Sequence, residues 1–269
     1  MKNGLKLGII GGGFMAHAIV KGALASRCLT PESVIVSDVN EDNLEKFKKM
    51  GCHTTTDNKQ PANDCEYLLL AVKPQNFPAV AEEIKGEQTE KIISIMAGTD
   101  KKKISSLLPN AKQICRVMPN LPCSIGYGMV AADVSDFPLK EDIDFFERLF
   151  GSLGSYITTE ESKMHAVTGI SGSGPAYVFL FLKALTEAGK KQGLSEEEAK
   201  VLAAETVLGG VNMYKHEQGT TDIDTLIQRV CSKGGTTERA MLSFEKDDFL
   251  GVVDRAVDAC VRRSKELGK

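Results

Sequence analysis

An apolar run near the start of the chain ends in three consecutive glycines, and this feature constrains the fold most strongly. Residues 5–10 are rich in β-forming side chains, the glycines are residues 11–13, and apolar residues then recur at helical spacing. Those apolar residues are Ala16, Ile19, Val20, Ala23 and Leu24. The segment therefore predicts a strand, a tight turn and a helix, the beginning of a βαβ unit.

The glycine turn fits the G-x-G-x-x-A fingerprint of a dinucleotide site, with Gly11, Gly13 and Ala16 at its marked positions. A turn without side chains lets backbone N–H groups approach a pyrophosphate, and the N-terminus of the following helix adds partial positive charge. The alternative is a plain strand-to-helix turn, because a lone glycine fingerprint is weakly specific.

Asp38 strengthens the dinucleotide interpretation. It follows the apolar run 34–36 and Ser37, at the end of the second predicted strand. An acidic residue in this place commonly hydrogen-bonds an adenosine ribose. The alternative role is a cap for the helix that begins near Asn40.

Further apolar runs at residues 67–72, 92–96 and 113–118 alternate with helical or turn segments, which predicts a parallel sheet covered on both faces. After about residue 160 the strand-like runs stop. The predicted helices beyond that point are 175–189, 195–214, 222–230, 236–244 and 249–267. We therefore predict an α/β chain with an N-terminal Rossmann-type doubly wound sheet, followed by an all-helical C-terminal domain. The core of the helix at 175–189 is apolar on every side, so a second subunit could cover it.

Composition excludes several classes of protein. The net charge of −3 over 269 residues provides no positive field, so we expect no nucleic-acid partner. No window reaches the roughly 18 consecutive apolar residues of a membrane span, and the start lacks the features of a signal peptide. The seven cysteines are scattered and contain no C-x-x-C pair, which indicates a reduced, cytoplasmic chain.

Other site chemistries fail on residue type or spacing. The chain has no Walker loop, and residues 169–173 miss the nucleophile elbow because Ser173 stands where glycine is needed. The four histidines are isolated, so we expect no metal site. The run at residues 101–103 is three lysines, which is typical of a solvated helix start.

Four stretches contain many residues of types that are uncommon on protein surfaces: 71–74, 117–122, 169–176 and 231–237. The first two would end strands, where ligands bind in a doubly wound sheet. In the last, Gly234 and Gly235 precede a helix, and such a turn forms a nest of N–H groups suited to a carboxylate. Ordinary turn chemistry and a merely capped helix remain the alternatives.

Taken in order, these motifs resemble the pyrroline-5-carboxylate reductase family. The matching segments are 9–16, 71–74, 94–98, 116–122, 168–177 and 232–237. The resemblance implies a Rossmann domain at residues 1–160 and a helical domain for substrate binding and dimerisation at 161–269, in a homodimer or a larger assembly such as a decamer. It also implies hydride transfer from NADH or NADPH to the C=N carbon of 1-pyrroline-5-carboxylate, which yields L-proline in the last step of proline biosynthesis.

The resemblance assigns the site residues. Thr237 is the predicted catalytic residue, the hydrogen-bonding partner of the imine nitrogen. The predicted substrate contacts are Ser232, Lys233, Gly234, Gly235, Thr236 and Thr237. The predicted cofactor contacts are Ile10, Gly11, Gly12, Gly13, Phe14, Met15, Ser37, Asp38, Asn58, Ala71, Val72, Lys73, Pro74, Ala97, Gly98, Pro119, Asn120, Ser173, Gly174 and Pro175.

The chain departs from the family pattern at several positions. Lys233 stands where proline is usual, Phe14 replaces a polar residue of the glycine turn, and Ile223 lies near the place of a missing proline. Asp38 would repel a 2′-phosphate, so we predict that NADH is preferred and NADPH accepted, with Lys59 as a possible charge offset.

Two rival interpretations stay open at this stage. A hydroxyacid or 6-phosphogluconate type of dehydrogenase would need a catalytic lysine, for which Lys163 and Lys183 are the candidates. A dinucleotide-sensing protein without turnover would need no carboxylate nest.

Overall fold

The structure is a computed structural model that describes residues 4–268. It divides into two compact units. The first unit consists of two segments, the residues up to Pro175 and those from Ala259 onward. The second unit is Ala176–Asp258.

The first unit contains a sheet of eight strands. They are β1 (Leu5–Ile10), β2 (Val34–Ser37), β3 (His53–Thr55), β4 (Cys65–Leu70), β5 (Lys91–Ser94), β6 (Gln113–Met118), β7 (Gly128–Asp133) and β8 (Gly154–Thr158). Their order is β3-β2-β1-β4-β5-β6-β7-β8. The chain therefore builds outward from β1 to β3 and returns to β4 on the other side of β1. This reversal places a topological switch point, where ligands bind in such sheets, at the carboxyl ends of β1 and β4.

The sheet is mixed in direction. The first six strands pair in parallel, and β6 and β7 run antiparallel, with Val117 opposite Ala132. The expectation of a wholly parallel sheet is therefore wrong at this one pair, while the predicted doubly wound fold class is confirmed.

Helices cover both faces of the sheet. They are α1 (Phe14–Ala25), α2 (Glu41–Lys49), α3 (Lys59–Asp64), α4 (Phe77–Ile84), α5 (Lys101–Leu107), α6 (Lys140–Gly151) and α7 (Met164–Val167). Because strand side chains alternate between faces, Leu69 packs into the core on one side of the sheet while Leu68 and Leu70 pack into the core on the other. Both cores hold the carboxyl edge of the sheet rigidly.

The start of α5 is not simply solvated, contrary to our expectation. The Lys101 side chain is 12% exposed, and its Nζ lies 3.1 Å from an Asp133 carboxylate oxygen and 2.9 Å from one of Asp136. Two buried or half-buried carboxylates therefore compensate this lysine, and of the three lysines only Lys102 is exposed.

The rest of the chain is helical, as predicted. It contains α8 (Gly174–Lys191), α9 (Glu196–Glu217), α10 (Ile223–Val230), α11 (Thr236–Lys246) and α12 (Phe249–Gly268). Ser195 and Glu198 form a capping box at the start of α9. Within residues 4–268, no helix combines the length and the apolar character that crossing a membrane demands.

Candidate cofactor and substrate sites

The glycine turn brings the ends of β1 and β4 into close contact. The Gly11 N–H donates to the Ser37 carbonyl at 2.8 Å, and Gly11 has a φ of +99°. A Cβ at Gly11 would lie only 2.8 Å from the Ala71 carbonyl oxygen, so a side chain at this position cannot be accommodated without a shift. At Gly13, in contrast, a Cβ would meet no atom within 4 Å. The space in front of the α1 N-terminus is thus open, as a bound pyrophosphate requires.

Asp38 ties β2 to this turn. One of its carboxylate oxygens accepts from the Gly12 N–H at 2.6 Å and from the Asn43 side chain at 3.2 Å, and the other accepts from the Asn40 N–H at 2.8 Å. The cap of α2 is Asn40, whose side chain accepts from the Asp42 N–H. Asp38 is therefore not the helix cap, and its negative charge lies at the glycine turn.

Ser37 and Asn58 lie beside Asp38. The buried Ser37 hydroxyl donates to the Asn58 side-chain oxygen at 2.7 Å, and the Asn58 amide donates to Glu83 at 2.6 Å. These bonds orient Asn58 at the carboxyl edge. The Lys59 Nζ lies 3.9 Å from a Glu87 carboxylate oxygen, so its charge is paired there, which weakens the argument that it offsets Asp38.

The remaining predicted cofactor segments follow the same edge of the sheet. The Ile10 side chain is buried in the core, which leaves only its backbone for a ligand, and its carbonyl accepts from the Ala71 N–H at 2.9 Å. Phe14 is exposed at the start of α1. Other predicted cofactor residues near this edge with exposed or half-buried side chains are Met15, Val72, Lys73, Pro74 and Ala97.

Two predicted residues have structural roles that sequence reasoning missed. The buried Asn120 side chain accepts from the Met129 N–H at 2.9 Å and donates to the Ser171 carbonyl at 3.1 Å, and it follows the buried Pro119. Gly98 is buried with a φ of +77°. The Asn120 hydrogen bonds and the positive φ of Gly98 explain these two residue types without a ligand, and their cofactor roles stay predictions.

A π-helical turn, Thr168–Gly172, leads to Ser173, Gly174 and Pro175. A Cβ at Gly172 would come within 2.5 Å of the Met118 side chain, so this turn packs tightly against the end of β6. The predicted cofactor contacts Ser173, Gly174 and Pro175 thus follow a turn that packs on the carboxyl edge of the sheet.

The predicted substrate turn lies in the second unit, before α11. The Gly235 N–H donates to the Ser232 carbonyl at 2.9 Å, and Gly234 has a φ of +75°. Gly235 is the cap residue of α11 and offers no capping side chain, while Thr236 and Thr237 occupy the first helical turn. The predicted substrate residues therefore lie together in one short turn, in which the Gly235 N–H is already bonded to the Ser232 carbonyl, and their substrate roles stay predictions.

Glu238 is the functional candidate that sequence reasoning missed in this turn. Its carboxylate accepts from the Gly234 N–H at 2.8 Å and so occupies one donor of the predicted nest. A glutamate at the third position of a helix is a known capping signal, and this signal was available in the sequence.

Thr237 lines a cavity of about 420 Å³ between α9, α10 and α11. Its other lining residues include Met213, Tyr214, Ile227, Val230 and Met241. A hydroxyl of a residue that lines a mainly apolar cavity can make a strong, directional hydrogen bond to a small ligand.

The rival sites find less support. The Lys163 side chain, a candidate for the rival dehydrogenase, is 62% exposed, and its Nζ lies 3.6 Å from a Glu160 carboxylate oxygen. The other candidate, Lys183, is exposed on α8.

Burial raises the pKa of the Cys52 thiol to about 11 and that of the Cys65 thiol to about 12, so neither is a ready nucleophile. In residues 4–268, no group of three or more His, Cys, Asp or Glu side chains could hold a metal ion.

Comparison with known proteins agrees with this layout. Residues 161–267 match the family model described as pyrroline-5-carboxylate reductase dimerisation, and residues 6–98 match one described as NADP oxidoreductase, coenzyme F420-dependent. The chain is 38% identical to the pyrroline-5-carboxylate reductase of Synechocystis sp., covering 98% of this chain and 99% of that protein. It is 36% identical to that of Haemophilus influenzae, covering 97% of each.

Solved structures give the same result over the whole length. The pyrroline-5-carboxylate reductase of Coxiella burnetii superposes with a TM-score of 0.87 at 36% identity, covering 99% of this chain and all (100%) of that one. The Plasmodium falciparum enzyme, solved with NADP bound, superposes with a TM-score of 0.88 at 31% identity, with 100% of both chains covered. This chain belongs to the pyrroline-5-carboxylate reductase family.

Proposed function

We propose that this chain reduces 1-pyrroline-5-carboxylate to L-proline with NADH or NADPH, as the last step of proline biosynthesis. Family membership over the full length supports this reaction. The structural observation that supports the reaction most strongly is the glycine turn at the β1–β4 switch point. Gly11 allows the backbones at the ends of β1 and β4 to lie close together, and the space beside Gly13 is open.

The chain's own residues would act mainly by positioning and electrostatics. The N–H groups of Gly234 and Gly235 and the hydroxyl of Thr236 would hold the substrate carboxylate, with Ser232 and Lys233 beside them. The substrate would there displace the Glu238 carboxylate from the Gly234 N–H and the Ser232 carbonyl from the Gly235 N–H. The Thr237 hydroxyl would hydrogen-bond the imine nitrogen, which takes its proton from water or a hydroxyl. The reduced nicotinamide, when bound, supplies the hydride that adds to the C=N carbon.

We keep the division into a dinucleotide-binding domain at residues 1–160 and a helical substrate-binding and dimerisation domain at 161–269 as a proposal. The two family-model matches, at 6–98 and 161–267, support it.

Exposed apolar side chains on α8, including Phe179 and Leu180, support a homodimer. Such dimers could assemble further, for example into a decamer. The net charge of −3 and the seven free cysteines support a cytoplasmic enzyme whose partners are a small molecule and its own copies, without nucleic acid or membrane.

An assay tests the proposed reaction directly. Loss of NADH or NADPH absorbance on addition of 1-pyrroline-5-carboxylate, with L-proline identified as the product, is the expected result. Binding of either cofactor without turnover would instead favour the sensing protein. Turnover of a hydroxyacid with no imine reduction would favour the rival dehydrogenase.

We expect NADH to be preferred over NADPH, and Asp38→Asn to shift the preference toward NADPH. The asparagine keeps an acceptor for the Gly12 N–H but removes the charge that would repel a 2′-phosphate. The ratio of kcat/KM for NADPH to that for NADH should rise about tenfold, which corresponds to about 1.4 kcal/mol. The prediction is wrong if the parent enzyme already prefers NADPH.

We expect Lys233→Pro to change KM for 1-pyrroline-5-carboxylate more than kcat. Lys233 is exposed, and it directly precedes Gly234 in the substrate turn. Proline would restrict the turn and remove a cation that can attract an anionic substrate. Steady-state kinetics at two salt concentrations check this, because the contribution of charge weakens as salt rises. An unchanged KM would count against a substrate contact at this position.

A further inference from the structure

The end of α12 returns to the first unit and packs against two loops of the proposed cofactor site. We define Ala259–Gly268 as the C-terminal segment; its residues group with the sheet rather than with the helices of the second unit. The two loops are the one at Gly98, after β5, and the one at Ser173, after the π-helical turn.

The first contact is made by backbone packing. A Cβ at Gly98 would lie 2.7 Å from the Ser264 carbonyl oxygen, and one at Gly268 would collide with the Gly98 carbonyl. The Lys103 Nζ donates to the Gly268 carbonyl at 3.3 Å, next to the same loop. Glycine at both positions thus allows the two backbones to touch.

The second contact is made by side chains. The Cys260 Sγ lies 3.2 Å from the Ser173 Oγ, in the loop that directly precedes α8. One helical turn further on, the buried Ser264 hydroxyl lies 2.9 Å from the His165 Nδ1, on α7 before the π-helical turn. Residues 260, 264 and 268 recur at intervals of four, so they share one face of the helix.

We infer that the C-terminal segment positions the two cofactor loops at Gly98 and Ser173, and that Cys260 is a positioning residue that acts on Ser173. The inference rests on the proposed function, in which Gly98 and Ser173 are predicted cofactor contacts. Catalysis by positioning is sensitive to such support, because a displacement of about 1 Å can cost about 10²-fold in rate.

The test compares three variants of the full-length enzyme. Cys260→Ala removes the contact with Ser173, Cys260→Ser retains a hydrogen-bonding group, and Arg263→Ala is the matched control. Arg263 lies in the same segment, but its side chain is 67% exposed. Among the ion pairs of the described residues, its guanidinium pairs only with the Glu266 carboxylate, at 2.9 Å. The measurements are kcat, KM and the primary deuterium isotope effect with NADH deuterated at the transferred position.

For Cys260→Ala we expect kcat to fall about tenfold and the isotope effect to rise, because a misplaced nicotinamide makes hydride transfer more rate-limiting. Cys260→Ser should recover most of the rate, and Arg263→Ala should match the parent. A fall in kcat matched by an equal fall in the fraction of protein that binds NADH would mean only a smaller active fraction, and it would overturn the inference. Parent-like behaviour of Cys260→Ala would overturn it as well.

A second measurement separates this inference from the proposed reaction. NADH should slow alkylation of Cys260 by iodoacetamide several-fold, measured by mass spectrometry, while the half-buried Cys28 at the far end of α1 should be unaffected. If the parent binds NADH but shows no turnover, the proposed function fails and this protection still decides the inference. Equal alkylation of Cys260 with and without NADH would then overturn it.

Discussion

Replacing Thr237 with valine should lower kcat for 1-pyrroline-5-carboxylate by about 10²–10³-fold, the loss that follows removal of one well-placed hydrogen-bonding group in other enzymes. Valine keeps the branched shape and similar helix propensity, so α11 should still form. The change replaces only the hydroxyl with a methyl group, at a residue that lines the cavity between α9, α10 and α11. Because that hydroxyl is proposed to bond the imine nitrogen, the effect should fall mainly on kcat.

Two further variants make this result interpretable. Thr237→Ser keeps the hydroxyl and should remain much closer to the parent in kcat. Thr236→Val alters the neighbouring residue, which is proposed to hold the carboxylate, and should raise KM more than it lowers kcat. A folded Thr237→Val enzyme with parental kcat would remove Thr237 from the proposed mechanism.

Replacing Gly11 with alanine should both destabilise the first unit and abolish tight NADH binding. The φ of +99° is unfavourable for any L side chain, at a cost of about 1–3 kcal/mol. The new Cβ would also lie 2.8 Å from the Ala71 carbonyl oxygen, which forces the β1 and β4 ends apart at the switch point. Thermal unfolding and NADH titration, followed by the change in nicotinamide fluorescence, measure the two effects.

Two other glycines separate folding from binding. At Gly13 the backbone φ is −69° and a Cβ meets nothing within 4 Å, so Gly13→Ala should keep its Tm. Its methyl group would enter the space proposed for the pyrophosphate, so NADH should bind more weakly. Gly86→Ala, also in open space but away from the turn, should change neither quantity. Parental NADH affinity in a folded Gly11→Ala variant would contradict the proposed cofactor site.

The strands that could be predicted from sequence are those with an apolar signal of their own. Strands β1, β2 and β4 bury nearly every side chain, so each contains an apolar run that is visible in the sequence. The edge strand β3 is His53–Thr55, which is polar and only partly buried, and β8 is largely exposed. Strand β7 is buried but carries alanines and a glycine, which are poor β-formers. These three strands depend on their neighbours and were not predicted.

The same distinction applies to the candidate site. The glycine turn, Asp38 and the turn before α11 carry local signals, because backbone conformation and helix termini restrict the residues found there. The contacts of Lys101 with Asp133 and Asp136 join residues more than thirty positions apart, and sequence reasoning placed Lys101 in solvent. The contact between Ser173 and Cys260 spans 87 positions. No local pattern contains such information.

The amino-acid sequence by itself determined the fold class, the positions of the glycine turns and the order of motifs that identifies the family, because each depends on short-range periodicity and backbone conformation. Only the tertiary structure decided that Asp38 hydrogen-bonds Gly12, that Glu238 occupies the Gly234 N–H, and that the C-terminal segment packs on the loops at Gly98 and Ser173. These partners are chosen by the packing of whole elements, since a polar group that loses water must find whichever donor or acceptor the fold brings within reach.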